Sequence, residues 1–120
     1  MKSTEYLTKP EQYTKVYRKG SSRVNGLLVV KALPSELAFT RCGFSVSRRI
    51  GGAVIRNRVK RRLREILRQE PLKAGWDIVF IARPPAAGAD YRQLKESVEG
   101  LLSKARLLMG RNEKVCLKNN

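Results

Sequence analysis

Ten basic side chains fall between residues 41 and 68 (Arg41, Arg48, Arg49, Arg56, Arg58, Lys60, Arg61, Arg62, Arg64 and Arg68) against one acid, Glu65. Nine of the sixteen net positive charges of the chain therefore lie in this stretch. Placing Arg58 one turn before Arg62, or Lys60 one turn before Arg64, is unfavourable in an isolated helix because like charges at i and i+4 repel. A charge run is ordinarily a solvated helix face, where alternating signs would serve better; this one implies an anion. Arginine dominates it, and the planar guanidinium fork donates two hydrogen bonds to neighbouring oxygens, which suits phosphate. The chemistry implied is phosphate binding and not bond cleavage: the chain has no histidine and no GxSxG, Walker or GxGxxG motif.

Ser45-Val46-Ser47-Arg48-Arg49-Ile50-Gly51-Gly52 leads into the basic stretch. Its paired glycines either bring backbone N–H groups close to an anion near a helix N-terminus or serve a tight connection that needs positive φ. Tyr13 and Tyr17 carry a similar double reading, as core packing or as rings that stack unpaired bases. Val29 and Lys31 point to one side of their strand and would complete such a trough, whereas Phe44 and Phe80 read as core.

The elements that must position these groups follow from periodicity. Thr8 and Glu11 have the spacing of a capping box, Pro10 fits a first turn, and Tyr13, Val16 and Tyr17 recur at helical spacing, so a helix spans 9–19 and ends at a left-handed Gly20. Leu27–Leu33, stopped by Pro34-Ser35-Glu36, and Ala38–Val46 read as the two strands of a hairpin, with a weak extra strand at Ser21–Val24. In 53–69, Ile55, Val59, Leu63, Ile66 and Leu67 occupy one third of the helical wheel, with Asn57, Arg58, Lys60, Arg61, Arg64 and Arg68 opposite. Asp77–Ala82 is a continuous apolar run of the kind buried mid-sheet, stopped by Pro84-Pro85. Asp90 and Gln93 open a last helix whose apolar face holds Tyr91, Leu94, Val98, Leu101, Leu102, Ala105 and Leu108. The expectation is an α+β fold: helices on one face of a small, mostly antiparallel sheet, the other face open. Residues 1–109 form one domain and 110–120 a basic tail.

Composition agrees with that organisation. With 120 residues, 42% of them hydrophobic, the chain suits a single folded domain, and a pI of about 10.7 points to an acidic polymer as partner. No apolar run spans a bilayer and residues 1–20 lack a signal-peptide core, so a cytoplasmic protein without membrane contact is expected. Cys42 and Cys116 make no CxxC pair, and Cys42 reads as a buried reduced thiol. Glu65, Glu70 and Asp77 form no evident metal cluster.

Residues 43–68, GFSVSRRIGGAVIRNRVKRRLREILR, closely resemble the signature of the bacterial ribonuclease P protein subunit, whose hallmark here is Arg56-Asn57-Arg58. The similarity also takes in the Leu-x-Lys-Pro-Glu-x-Tyr-x-x-Val-Tyr stretch from Leu7, Gly75–Arg83 and the closing helix near Leu107. The resemblance implies a ribosomal-protein-like two-layer sandwich with a left-handed βαβ crossover, against the right-handed rule. It implies a protein that is monomeric on its own and assists a catalytic RNA subunit, which uses Mg²⁺ to remove the 5′ leader of precursor tRNA; the protein supplies no cleavage residues. By position it assigns Arg48, Arg49, Arg56, Asn57, Arg58, Lys60, Arg61, Arg62, Arg64 and Arg68 to the RNA subunit. Tyr13, Tyr17, Val29, Lys31 and Ser45 are assigned to a cleft for the leader. Gly52 stands where the family commonly has Asn, and Lys31 where some members have an aromatic ring. A plain ribosomal-type RNA-binding module would show the same charge; a DNA reader or membrane-surface helix lacks, respectively, a dimerisation pattern and bulky apolar anchors.

Overall fold

β5 (Trp76–Ala82) is the centre of a five-stranded sheet in the order β1-β4-β5-β3-β2, where β1 is Glu5–Tyr6, β2 Ser21–Val24, β3 Leu28–Pro34 and β4 Arg41–Ser45. The computed structural model describes residues 5–108; the segment 110–120 and Cys116 lie outside them. The expected hairpin of 27–33 with 38–46 does not form: β5 lies between these strands, antiparallel to β3 and parallel to β4. Its apolar run needs a partner on each edge, and the 35–40 connection bridges it, with Ser35 N–H donating to Gly75 O (2.8 Å) and Trp76 N–H to Thr40 Oγ1 (3.2 Å). The sheet is consequently mixed and not mostly antiparallel, since β1 also runs parallel to β4 while β2 pairs antiparallel with β3.

α1 (Pro10–Lys19) begins one residue later than the Thr8–Glu11 box implies. Proline keeps the residue before it out of helical geometry, and Lys9 is extended (φ −108°, ψ 143°), so Lys9 is the N-cap and Gln12 Oε1 accepts from the N–H groups of Thr8 and Lys9. Gly20 is extended and not left-handed; it is needed because a Cβ there would meet Val16 O at 2.6 Å and Ala32 O at 2.9 Å. α1 crosses the face expected to be open, where Val16, Leu7 and Val79 are buried with Tyr13, Leu33 and Ile81 around them. The opposite face carries the main core: Leu28, Val30, Ile78 and Phe80 pack against Val59, Leu63, Ile66 and Leu67 of α2 (Ala53–Arg68) and Leu94, Val98, Leu101 and Leu102 of α3 (Tyr91–Lys104). Asp90 caps α3, its carboxylate accepting from Gln93 N–H at 2.8 Å. β4, α2 and β5 form a βαβ unit with parallel, adjacent strands.

Candidate nucleic-acid interface

The apolar stripe of α2 fixes which side chains reach solvent. Val59, Leu63, Ile66 and Leu67 are buried and Ile55 packs on the core, so the basic residues are turned outward as the wheel predicts. They do not form one continuous guanidinium surface, however. The 3-10 turn Pro84–Gly88 lies alongside α2: Arg58 donates to Ala87 O (3.2 Å) and Arg62 to Ala89 O (2.8 Å), while Arg58 Nε is buried without a partner. Arg56 Nε turns back onto Gly51 O (3.1 Å), and Arg68 pairs with Glu65. Asn57, Arg61 and Arg64 are exposed, Lys60 is half-buried, and none of the last three has a carboxylate partner among the described residues.

Arg48 and Arg49 stand exposed in a 3-10 turn, Arg48–Ile50, capped by Ser47. Gly51 follows at φ +152°, with Ile55 3.0 Å from where a Cβ would sit, so this glycine is structurally required. Gly52, the N-cap of α2, is not: its φ is −72° and a Cβ would meet nothing within 4 Å.

On the α1 face, strand register lays out a floor in rows. One row runs Val24, Val29, Ile81, Ser45; the next runs Ser22, Lys31, Val79, Gly43. Val29, Lys31 and Ser45 thus share the face α1 covers, and all three are half-buried. Tyr13 lies over Gly43, close enough that a Cβ there would come within 2.7 Å of the ring, and its centroid is 6.4 Å from that of Tyr17. Tyr17 is 39% exposed, so its ring is turned to solvent and not into the core. Ile81 and Gly43 belong to this floor but were not legible in the sequence, because their neighbours depend on the order of the strands. β4 delivers Ser45 to the cleft and, three residues later, Arg48 to the basic side, so the two surfaces meet at its C-terminal end.

Arg41 belongs to neither surface. It lies opposite Asp77 in the β4–β5 register, and its guanidinium grips the buried carboxylate through Nε (2.9 Å) and Nη2 (2.7 Å), which holds its pKa above the ordinary value. Cys42 is buried beside this pair, and desolvation, reinforced by the Asp77 charge, pushes its thiol up to about 12. With Asp77 held by Arg41 and Glu65 by Arg68, the described residues contain no group of three His, Cys, Asp or Glu suited to a metal.

Residues 1–106 match the family profile described as Ribonuclease P. A ribonuclease P protein component of Dehalococcoides mccartyi is 48% identical over 118 residues, 98% of each chain, and one from Roseiflexus castenholzii is 44% identical over 92% of this chain and 93% of its own. Among solved structures, the RNase P protein of Staphylococcus aureus superposes with a TM-score of 0.79 at 32% identity, covering 90% of this chain and 99% of that one. The RNase P protein from Thermotoga maritima gives 0.77 at 29% identity over 83% and 96%.

Proposed function

This chain belongs to the ribonuclease P protein family, whose members are subunits of a tRNA-processing ribonucleoprotein, and from that premise we propose how its surfaces divide the work. The solvent-facing side of α2, with Arg48 and Arg49 before it, binds the RNA subunit through phosphate contacts. The cleft between α1 and the sheet takes the single-stranded 5′ leader of precursor tRNA, with Tyr13 and Tyr17 offering ring faces, Val29 and Ser45 the floor, and Lys31 a charge for a phosphate. Arg58, Arg62 and Arg56 act one step behind, fixing the turns that flank the RNA surface, and the Glu65-paired Arg68 extends its end.

The observation that carries this reading is the meeting of an arginine-rich helix side and a ring-lined strand cleft at one end of β4. One surface suits a structured RNA backbone and the other an unpaired strand, which is what a substrate-positioning subunit needs. Asp77 and Glu65 are held by arginines and Asp90 caps α3, and the described residues bring no three metal-ligating side chains together, so we assign the Mg²⁺ that supplies the hydrolytic chemistry to the RNA subunit, and catalysis with it. We place the protein in the cytoplasm, monomeric until it meets RNA; among the described residues no helix is long and apolar enough to cross a membrane.

The test is cleavage of a 5′-extended precursor tRNA by a bacterial ribonuclease P RNA at low Mg²⁺, with and without the protein, beside the protein alone. Stimulation that requires the RNA, with no cleavage by the protein alone, is expected. Tight RNA binding without stimulation would reduce the chain to a plain RNA-binding module.

A further inference from the structure

We propose that the notch where the outer edge of β4 meets α2 is a subsite for one unpaired nucleotide of the leader, passing the strand from the cleft to the basic side of α2; this rests on the cleft being the leader site. β1 covers β4 only at Arg41 and Cys42, and no other described strand lies outside it, so the edge from Gly43 to Ser45 is open. There, Tyr6, Leu7, Tyr13, Phe44, Lys60 and Arg64 line an open notch of about 280 Å³. Tyr13, whose ring lies over Gly43 on the α1 face, also lines this notch, so the two spaces adjoin at that side chain.

The lining has the chemistry of single-strand recognition. Phe44 stacks on the buried Phe80 (centroids 6.0 Å, 26° between planes) and meets the ring of Tyr6 at 6.0 Å; Tyr6 is 37% exposed. The Arg64 guanidinium lies 5.9 Å from the Tyr6 centroid and 5.8 Å from that of Phe44. It lies against the two rings and has no carboxylate partner among the described residues, and Arg64 is exposed, which leaves its guanidinium available to an anion. Lys60, one turn earlier on α2, adds a second cation. A base inserted here would stack on an aromatic ring or on the guanidinium, and its phosphate would meet Lys60 and Arg64.

Holoenzyme assembled with a bacterial ribonuclease P RNA provides the assay, using precursor tRNAs that carry 2-aminopurine at successive leader positions. Tyr6→Leu is expected to weaken binding of leader-bearing precursor about fivefold or more and to abolish fluorescence quenching at one leader position. Leaderless tRNA and the RNA subunit should bind as before, and Tyr6→Phe should behave as wild type. Unchanged precursor affinity with Tyr6→Leu, or an equal loss with leaderless tRNA or the RNA subunit, would overturn the proposal. Tyr17→Ala separates the two readings: if it too is silent, the cleft assignment fails and the notch with it, whereas a loss with Tyr17→Ala alone removes only the notch. Should Tyr6→Leu not fold, judged by far-UV circular dichroism, Tyr6→Met, which keeps side-chain bulk on Phe44 without a ring, carries the same comparison.

Discussion

Arg58 and Arg61 stand three residues apart on the outer side of α2 and look equivalent on a helical wheel, yet only Arg61 faces open solvent. Arg58 reaches across to Ala87 O and has a buried Nε, so truncation removes a charge-assisted hydrogen bond and leaves a carbonyl without its donor. Arg58→Ala should therefore lower stability by roughly 1 to 3 kcal/mol and weaken RNA binding in part through that loss. Arg61→Ala should leave the melting temperature unchanged and weaken RNA binding alone; equal melts for the two variants would show that the Ala87 contact contributes nothing. The wheel placed both off the apolar stripe, which is right, but it contains no information about the segment after β5 that folds against one flank. Cys42 is the reverse case, since its burial was legible from its chemistry and the structure adds a consequence. Its thiol is raised from 9.0 to about 12 in the folded chain, so the unfolded chain releases that proton first as pH rises. The associated stability is fully present below pH 9 and is lost toward pH 12, by roughly 1.4 kcal/mol per pH unit. Alkaline denaturant titrations of wild type and Cys42→Ala should converge in stability as pH rises through that window; parallel curves would refute it.

At the scale of elements, the helices were the legible part, because amphipathic periodicity is a local property: α2 spans Ala53–Arg68, close to the expected span, whereas α3 (Tyr91–Lys104) stops short of the expected Leu108, because the chain turns at Arg106 (φ 61°) and Leu108 bridges to Leu72 instead. Strand order is not local. Nothing in 27–46 reveals that a run more than thirty residues downstream will separate its two strands, and the apolar Asp77–Ala82 run carried the only hint, since a strand buried on both faces seeks two neighbours. The entry to α2 gives this scale its prediction. Gly51 holds a positive φ that side chains resist, but Gly52 occupies an extended N-cap with open space around it and no side-chain cap. Gly52→Asn should add a cap and raise stability by a few tenths of a kcal/mol, whereas Gly51→Ala should cost on the order of 1 kcal/mol through backbone strain and contact with Ile55. Thermal melts showing the opposite order would mean that the backbone at the entry to α2 is constrained at Gly52 and not at Gly51.

For the whole molecule, a net charge of +16 makes the free protein self-repelling, and the fold answers by committing some arginines internally and leaving others for RNA. Arg41, Arg56, Arg58, Arg62 and Arg68 are engaged by protein acceptors, so the surface left to RNA is smaller than the sequence count suggests. Each phosphate contacted by what remains should contribute a slope of roughly −0.7 to −0.9 to the dependence of log K on log salt. Lys31 tests this on the cleft side, where it lies in the row next to Val29 and beside Val79 on the floor. If its ammonium meets a leader phosphate, Lys31→Tyr should flatten the salt slope for leader-bearing precursor by roughly one contact, leave the slope for leaderless tRNA as it was, and introduce a preference among bases through stacking. A slope and base preference both identical to wild type would place Lys31 outside the path of the strand and leave Tyr13 and Tyr17 to bind the leader without a charge beneath it.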